Sequence, residues 1–244
     1  MFTVVFENTD KYYSGKKVLD NVNLSIEANK ISVIIGRSGS GKSTLLKLIN
    51  GLQKPDKGSV KVFGNTIDYS KINDLRKQIG YSVQGTSLFP HMNIYENITL
   101  LGRLNKMNQD KINERLHTLL KFVDLKKDYL KKYPGELSGG EQQRAGICRA
   151  MMMDPKIFLL DEAFGALDPT TKSEIHSELI KIQMNEPRTI ILVTHDLQEG
   201  FKLADKIIII EKGKIQLTGS KEEILNSELE FVRYFIKTQL EFLK

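Results

Sequence analysis

The sequence predicts an α/β protein with a mostly parallel core sheet. Short apolar stretches rich in β-branched residues alternate along the chain with stretches in which apolar residues recur at helical spacing. Such alternation is typical of parallel strands connected by helices. A glycine-rich loop follows the first apolar stretch, and a helical pattern follows the loop. The predicted core strands lie at residues 31–35, 79–83, 157–160, 189–193 and 206–210.

Two other regions extend this core. Residues 4–7 and 22–26 alternate like antiparallel strands, and 59–63 is strand-like, which predicts an antiparallel β layer. Residues 92–136 are polar and helix-rich, and because they lie between two core strands we expect an inserted helical subdomain. Its helical spacing is carried by Ile112, Leu116, Leu119, Leu120 and Val123. Other helical patterns cover 42–50, 140–153, 169–184 and 197–204.

These patterns predict a single domain over residues 1–244. The core would comprise 1–91 and 154–219, the helical subdomain about 92–153, and a helical tail about 220–244. Ser220 and Glu223 have the spacing of a capping box. We expect the tail helix to dock on the core, and a membrane or partner helix is the alternative. Its apolar face would be Ile224, Leu225, Phe231, Val232, Phe235 and Ile236.

Composition narrows the class of protein. The chain has 244 residues, 40% hydrophobic and 27% charged, as in ordinary globular proteins. No apolar run approaches the roughly 20 residues that cross a bilayer, and the start lacks a signal-peptide pattern. The single cysteine, Cys148, fits a reducing cytosol and core packing. The net charge is +6, but the lysines are scattered, so we expect a solvated surface and no nucleic-acid partner.

A phosphate-binding loop is predicted between the strand at 31–35 and the helical pattern at 42–50. Its glycines permit backbone conformations that a Cβ would penalise, so backbone N–H groups can point into one concavity. The following helix directs its positive end at the phosphates. We expect Lys42 to bridge the β- and γ-phosphates of a nucleotide and Ser43 to bind Mg²⁺. The motif G-x-x-x-x-G-K-[ST] is formed by Gly36, Arg37, Ser38, Gly39, Ser40, Gly41, Lys42 and Ser43, and Thr44 follows it as part of the predicted site.

Two acidic residues follow the apolar stretch at 157–160. The strand ends in Asp161 and Glu162. A buried strand can deliver Asp161 beside the phosphate loop, where its carboxylate can hold Mg²⁺. An isolated strand followed by two acids is more typical of a capped loop. Here the strand and its two acids occur in the same chain as a phosphate loop, and this combination favours a nucleotide site.

Residues 137–144 read Leu-Ser-Gly-Gly-Glu-Gln-Gln-Arg. This octapeptide resembles the signature motif of ATP-binding cassette (ABC) ATPases, and the resemblance covers about residues 2–236. It implies a nucleotide-binding subunit of an ABC transporter, with the P-loop NTPase fold of ABC type. It further implies that Ser138, Gly139 and Gly140 contact ATP held by a second subunit. Glu162 would polarise the attacking water as a general base or by orienting it.

Four other residues match the family pattern in position and order. The resemblance implies that Tyr13 stacks on adenine, although the preceding tyrosine is an alternative. Gln84 would sense Mg²⁺ and the membrane partner, and His195 would contact the γ-phosphate. Asp168 matches the D-loop, and because a proline follows, it is also a good helix N-cap.

The resemblance implies a head-to-tail homodimer that closes on ATP and drives transmembrane permease subunits from the cytoplasmic face of the membrane. Segments 86–98 and 161–168, with 48–52 and 231–233, are most similar to osmoprotectant importers for glycine betaine, choline or carnitine. A substrate-binding protein would then be an indirect partner. Importers of amino acids or of sulfonate or nitrate, exporters, and soluble ABC ATPases are the alternatives.

Two departures from the osmoprotectant pattern have expected consequences. Ala163 stands where a proline is usual, which should alter loop rigidity more than chemistry. The sequence ends at Lys244, and we therefore expect no regulatory domain of the cystathionine-β-synthase type.

Overall fold

The computed structural model describes residues 1–83, 85 and 88–241, with side chains up to residue 238. The predicted site residue Gln84 lies outside the described residues. The strands are β1 (Phe2–Tyr13), β2 (Lys16–Glu27), β3 (Ile31–Ile35), β4 (Lys57–Val62), β5 (Asn65–Thr66), β6 (Ile79–Ser82), β7 (Ile157–Asp161), β8 (Thr189–Thr194), β9 (Lys206–Glu211) and β10 (Lys214–Gly219). The helices are α1 (Lys42–Ile49), α2 (Ile72–Arg76), α3 (Ile94–Leu104), α4 (Gln109–Phe122), α5 (Gly139–Met151), α6 (Pro169–Asn185), α7 (Leu197–Leu203), α8 (Lys221–Leu225) and α9 (Glu230–Glu241).

The chain divides into two compact units. The first comprises Met1–Arg76 together with the chain from Arg188 onward. The second comprises Lys77–Pro187.

The first unit contains an antiparallel layer and a parallel group of strands. The layer has the order β2-β1-β4-β5. In the second group β9, β3 and β8 run parallel, and β10 pairs antiparallel with β9. Every residue of β3 and of β8 is buried, which explains why both strands are mostly apolar and lack polar alternation. Helix α7 lies against β3 at Gly200, where a Cβ would come within 2.5 Å of Ile35 Cδ1.

The second unit has a parallel pair of strands and a helical cluster. β6 pairs with β7, and α5 packs against β6. Helices α3 and α4 pack against α5, and α4 also contacts α6. Cys148 is fully buried in this cluster, as expected for core packing, and its Sγ lies 3.5 Å from the Leu119 oxygen. Burial raises the pKa of the Cys148 thiol, which disfavours thiolate chemistry.

The predicted α/β class, with parallel strands and an antiparallel layer, is confirmed. Two differences from the predicted strands have local causes. β1 runs well beyond residue 7 because its register shifts between Phe6 and Thr9, where Asn8 has a φ of +46°. That bulge breaks the alternation on which the prediction depended. β10 was missed because its residues are mostly half-buried or exposed and carry no apolar run.

The tail differs from a single docked helix. The capping box is confirmed: Glu223 N–H donates to Ser220 Oγ over 3.3 Å, and Ser220 N–H donates to Glu223 over 2.6 Å. It begins the short α8, and a separate α9 follows. Ile224, Val232, Phe235 and Ile236 are buried, but Leu225 is 44% exposed, so its place on the apolar face was wrong. In the described ranges no helix is long and apolar enough to cross a bilayer.

Two glycines of the second unit should respond oppositely to an added methyl group. A Cβ on Gly80 in β6 would lie 2.3 Å from the Ala150 oxygen and 2.8 Å from Pro155 Cγ. No atom of the described residues lies within 4 Å of a Cβ on Gly146 in α5. We expect Gly80→Ala to lower the free energy of unfolding by about 1–3 kcal/mol through overpacking. Gly146→Ala should raise it by about 0.5–1 kcal/mol, because alanine loses less backbone entropy. Urea denaturation would measure both, and equal effects would contradict the packing of α5 on β6.

Candidate functional site

The phosphate-loop residues lie between β3 and α1, in the first unit. Gly39 and Gly41 have φ values of +76° and +107°, in the region that favours glycine. A Cβ on Gly36 would lie 2.2 Å from the Ile210 oxygen of β9, so this glycine is required by close backbone approach. Gly213 N–H, in the turn between β9 and β10, donates to the Ser40 oxygen over 3.0 Å. The loop is therefore fixed by strands from the far end of the sequence.

Three features of this loop fit an anionic ligand. Lys42 is 5% exposed, and its ammonium donates to the carbonyl oxygens of Gly36 (2.8 Å) and Arg37 (3.0 Å). Helix α1 begins with no side-chain cap and no acidic residue in its first turn, so its N–H groups and positive end face the loop. Ser40 Oγ is buried and has no hydrogen-bond partner among the described residues. A buried hydroxyl without a partner is unfavourable, and a phosphate oxygen would satisfy it.

The other side chains of the phosphate loop differ in their exposure to solvent. Ser43 and Thr44 lie in the first turn of α1, with Thr44 buried. Arg37 is exposed, and its guanidinium carbon lies 5.7 Å from the ring centroid of Tyr234 in α9. Ser38 is exposed at the tip of the loop.

Two other predicted residues belong to the same unit. Tyr13 ends β1 and is 37% exposed, whereas the preceding tyrosine is half-buried, so Tyr13 has the freer ring face. Lys11 Nζ lies 5.6 Å from the Tyr13 ring centroid. His195 is exposed directly after β8. The turn that holds it is fixed by Asp196, whose N–H donates to Thr194 Oγ1 over 3.1 Å and whose carboxylate caps α7.

In the second unit, Asp161 ends β7 and is 3% exposed. Tyr81 of the neighbouring strand β6 donates its hydroxyl proton to Asp161 Oδ2 over 3.1 Å. Burial, reinforced by the Asp161 carboxylate, raises the pKa of Tyr81, so the phenol remains a donor. Sequence reasoning gave Tyr81 no role, because the pairing of β6 with β7 that brings it to Asp161 is not encoded locally.

Glu162 follows in a left-handed conformation, with φ of +48°. Its main-chain oxygen accepts hydrogen bonds from Gln143 Nε2 (3.0 Å) and Gly165 N–H (3.2 Å). Gln143 Oε1 accepts from Ala166 N–H over 3.0 Å. Sequence reasoning quoted Gln143 within the octapeptide but gave it no role. Its burial, which marks it out from the polar residues around it, is visible only in the structure.

The glycine turn of the octapeptide begins helix α5. The predicted start at Gly140 was one residue late, because Ser138 and Glu141 form a capping box that starts the helix at Gly139. Ser138 and Gly139 are exposed, while Leu137 is buried and anchors the turn. The N-terminal N–H groups of α5 are thus presented at the surface of this unit.

Asp168 begins helix α6. Its carboxylate accepts from Thr171 N–H over 3.0 Å, and Pro169 occupies the first helical position, so the predicted N-cap is confirmed. The Thr171 hydrogen bond lowers the pKa of Asp168, which keeps the carboxylate ionised.

Residues 19–165 match the family model described as "ABC transporter". The chain belongs to the ABC transporter family. Among curated proteins, this ABC cassette is 44% identical over 235 residues to the choline transport ATP-binding protein OpuBA of Bacillus subtilis, covering 96% of the chain and 62% of OpuBA. It is 44% identical to the glycine betaine/carnitine/choline transport ATP-binding protein OpuCA of the same organism, covering 92% of the chain and 60% of OpuCA. The chain thus spans about three-fifths of the length of these relatives.

Two other comparisons agree with this membership. The glycine betaine uptake system ATP-binding protein YehX of Escherichia coli is 37% identical, over 95% of the chain and 76% of YehX. Among solved structures, the dimeric ATP-binding cassette MJ0796 bound to ADP and Pi superposes with a TM-score of 0.83 at 32% identity, covering 89% of the chain and 98% of MJ0796. The cassette cbiO1 of Clostridium perfringens gives 0.80 at 30% identity, covering 98% and 99%. The predicted ABC-ATPase fold and the resemblance to osmoprotectant importers are both confirmed.

Proposed function

We propose that this chain is the ATP-hydrolysing subunit of an ABC importer for a quaternary amine such as glycine betaine, choline or carnitine. The phosphate loop is the observation that carries the ATPase proposal. Gly36 is required by backbone crowding, and Gly39 and Gly41 have positive φ values. The helix start is uncapped, and the buried Ser40 hydroxyl has no partner among the described residues. These features fit a polyphosphate better than a plain turn.

Each remaining site residue receives a task within this proposal. Lys42 would neutralise the β- and γ-phosphates, and Ser43, Gln84 and Asp161 would hold a Mg²⁺ ion. When bound, that ion would neutralise negative charge on the phosphates. Tyr81 keeps the Asp161 carboxylate oriented through its hydrogen bond. Glu162 orients the attacking water or accepts its proton.

The site also needs residues for the adenine, the γ-phosphate and the partner. Tyr13 stacks on adenine with its exposed ring. His195 is exposed at a strand end and is therefore accessible to a ligand. In this proposal it donates to the γ-phosphate. Ser138, Gly139 and Gly140 present the positive end of α5 to ATP held by a second copy of the chain. Asp168 holds the turn that precedes α6 near this interface.

We infer a head-to-tail homodimer, which the exposed start of α5 supports. The dimeric state of the MJ0796 cassette supports it. In this arrangement ATP attracts two subunits to each other, and hydrolysis removes the attraction. We infer that the helical subdomain, about residues 92–153, is inserted into a core of 1–91 and 154–219 with the tail 220–244.

The names of the relatives support the transport proposal. OpuBA, OpuCA and YehX are named for choline, carnitine and glycine betaine transport. We infer that the chain lies at the cytoplasmic face of the membrane, bound to permease subunits that a substrate-binding protein supplies with solute.

Reconstitution tests this proposal. The chain would be co-expressed with any permease and binding protein whose genes neighbour its own, and placed in liposomes loaded with Mg-ATP. We expect uptake of radiolabelled glycine betaine, choline or carnitine that is lost with Lys42→Ala. ATP-dependent uptake of an amino acid or a sulfonate instead would overturn the substrate class, and co-purification with a nuclease or ribosome in place of a permease would overturn transport.

A further inference from the structure

The side chain of Gln143 connects helix α5 to the loop that follows β7. It is buried at 6% exposure, in the first half of α5. Its Nε2 donates to the Glu162 oxygen and its Oε1 accepts from Ala166 N–H, both over 3.0 Å. One side-chain amide thus uses both polar atoms on two backbone groups of the same loop. The donor and acceptor are complementary to these groups in one orientation only.

The loop needs this support at Glu162. A φ of +48° lies in the left-handed region, which a residue with a Cβ adopts at a free-energy cost. The Glu162 carbonyl also accepts from Gly165 N–H. Two donors on one carbonyl hold the peptide plane that follows Glu162 and with it the position of the Glu162 Cα.

We propose that Gln143 is a positioning residue that sets the backbone conformation of Glu162 from the signature helix; this inference rests on the proposed function. Because Gln143 lies on the helix whose start is Ser138–Gly140, a displacement of α5 moves the Glu162 carbonyl and the Ala166 N–H together. Engagement of the α5 N-terminus by a partner's nucleotide is thereby communicated to the glutamate of the same subunit.

Two substitutions separate the hydrogen bonds from the packing. Gln143→Met keeps the approximate volume and removes both hydrogen bonds. Gln143→Glu keeps an acceptor for Ala166 N–H but places a carboxylate oxygen against the Glu162 oxygen. We expect kcat for ATP hydrolysis to fall about tenfold with methionine, since a small misplacement of a reacting group has effects of this order or larger. The fall should be greater with glutamate, while KM for ATP stays within about twofold because the phosphate loop is untouched.

Asn97→Ala is the matched control. Asn97 is another fully buried amide of the same unit, and it bonds to the backbone of Phe89, Met92 and Asn93. We expect its loss to lower the unfolding temperature while kcat per folded molecule stays within about twofold. Equal kcat losses for Gln143→Met and Asn97→Ala would indicate general destabilisation and overturn the inference.

The decisive measurement is a double-mutant cycle with Glu162→Gln, followed by single-turnover hydrolysis of labelled ATP. If Gln143 acts through Glu162, adding Gln143→Met to Glu162→Gln should change the residual rate less than about twofold. A further tenfold loss, or a wild-type kcat for Gln143→Met beside an inactive Glu162→Gln, would overturn the positioning role and leave the ATPase proposal intact. Wild-type hydrolysis by Glu162→Gln would instead refute the role assigned to Glu162, and absence of ATP hydrolysis by the wild-type protein would overturn the ATPase proposal. Gln143→Glu gives the same comparison should the methionine variant not fold.

Discussion

Glu162→Gln is expected to bind Mg-ATP with near wild-type affinity and to lose hydrolysis by about 10²–10³-fold, because the amide cannot accept the proton of the attacking water. The backbone of Glu162 is held by Gln143 and Gly165 through its carbonyl oxygen, which the substitution leaves in place. The variant should therefore accumulate as an ATP-bound dimer. Phosphate release measures the rate, and size-exclusion chromatography with and without Mg-ATP measures the dimer.

Glu178→Gln is the control for this experiment. Glu178 is a half-buried carboxylate of α6 that pairs with Lys181, so its loss removes one charge from the same unit. We expect its rate to stay close to wild type, as for most surface pairs. Near-normal hydrolysis by Glu162→Gln would refute the role assigned to Glu162.

Ser138→Arg is expected to leave ATP binding intact and to abolish hydrolysis, because a long charged side chain would occupy the place of a partner's γ-phosphate. The trans arrangement makes a sharper test possible by mixing. Lys42→Ala disables the phosphate loop and Ser138→Arg disables the signature, so each variant alone should be inactive. A mixed dimer pairs one intact phosphate loop with one intact signature, and an equimolar mixture should recover up to about a quarter of the wild-type rate by random pairing.

Recovery of activity in the mixture excludes a site built within one subunit, since no chain in it carries both intact halves. Absence of recovery from two folded, dimer-competent variants would contradict the trans site. Ser220→Arg is the matched control, because Ser220 caps α8 with the same Ser-x-x-Glu capping box that Ser138 uses in α5. Loss of a cap costs about 1 kcal/mol, which does not abolish activity in a stable domain. If Ser220→Arg keeps full activity, the loss of activity in Ser138→Arg results from the position of Ser138 on α5 and not from the loss of a helix cap.

The sequence was sufficient where a feature is encoded by consecutive residues. The phosphate loop is one such feature, since its glycines, Lys42 and the helix that follows are all local. The buried strand β3 is another, because burial on both faces favours a mostly apolar run. The caps at Asp168 and Ser220 were predicted because a cap joins residues only three apart.

Predictions failed where the local pattern was interrupted or ambiguous. The bulge at Asn8 broke the alternation of β1, and the mixed exposure of β10 concealed an edge strand. Leu225 was placed on the buried face of the tail because one continuous helix was assumed. The separation of α8 from α9 turns it to solvent.

The sequence by itself determined the family, the phosphate loop and the acidic pair, because each depends on residue types at fixed short spacing. Tertiary structure decided which groups support them. Gly36 is required by the Ile210 carbonyl, Asp161 is oriented by Tyr81, and Glu162 is held by Gln143. Tyr81 and Asp161 are 80 residues apart and Gln143 and Glu162 are 19 apart. The physical reason is that hydrophobic patterns specify which face of a strand or helix is buried. Strand pairing and helix packing then determine which distant residue contacts that face.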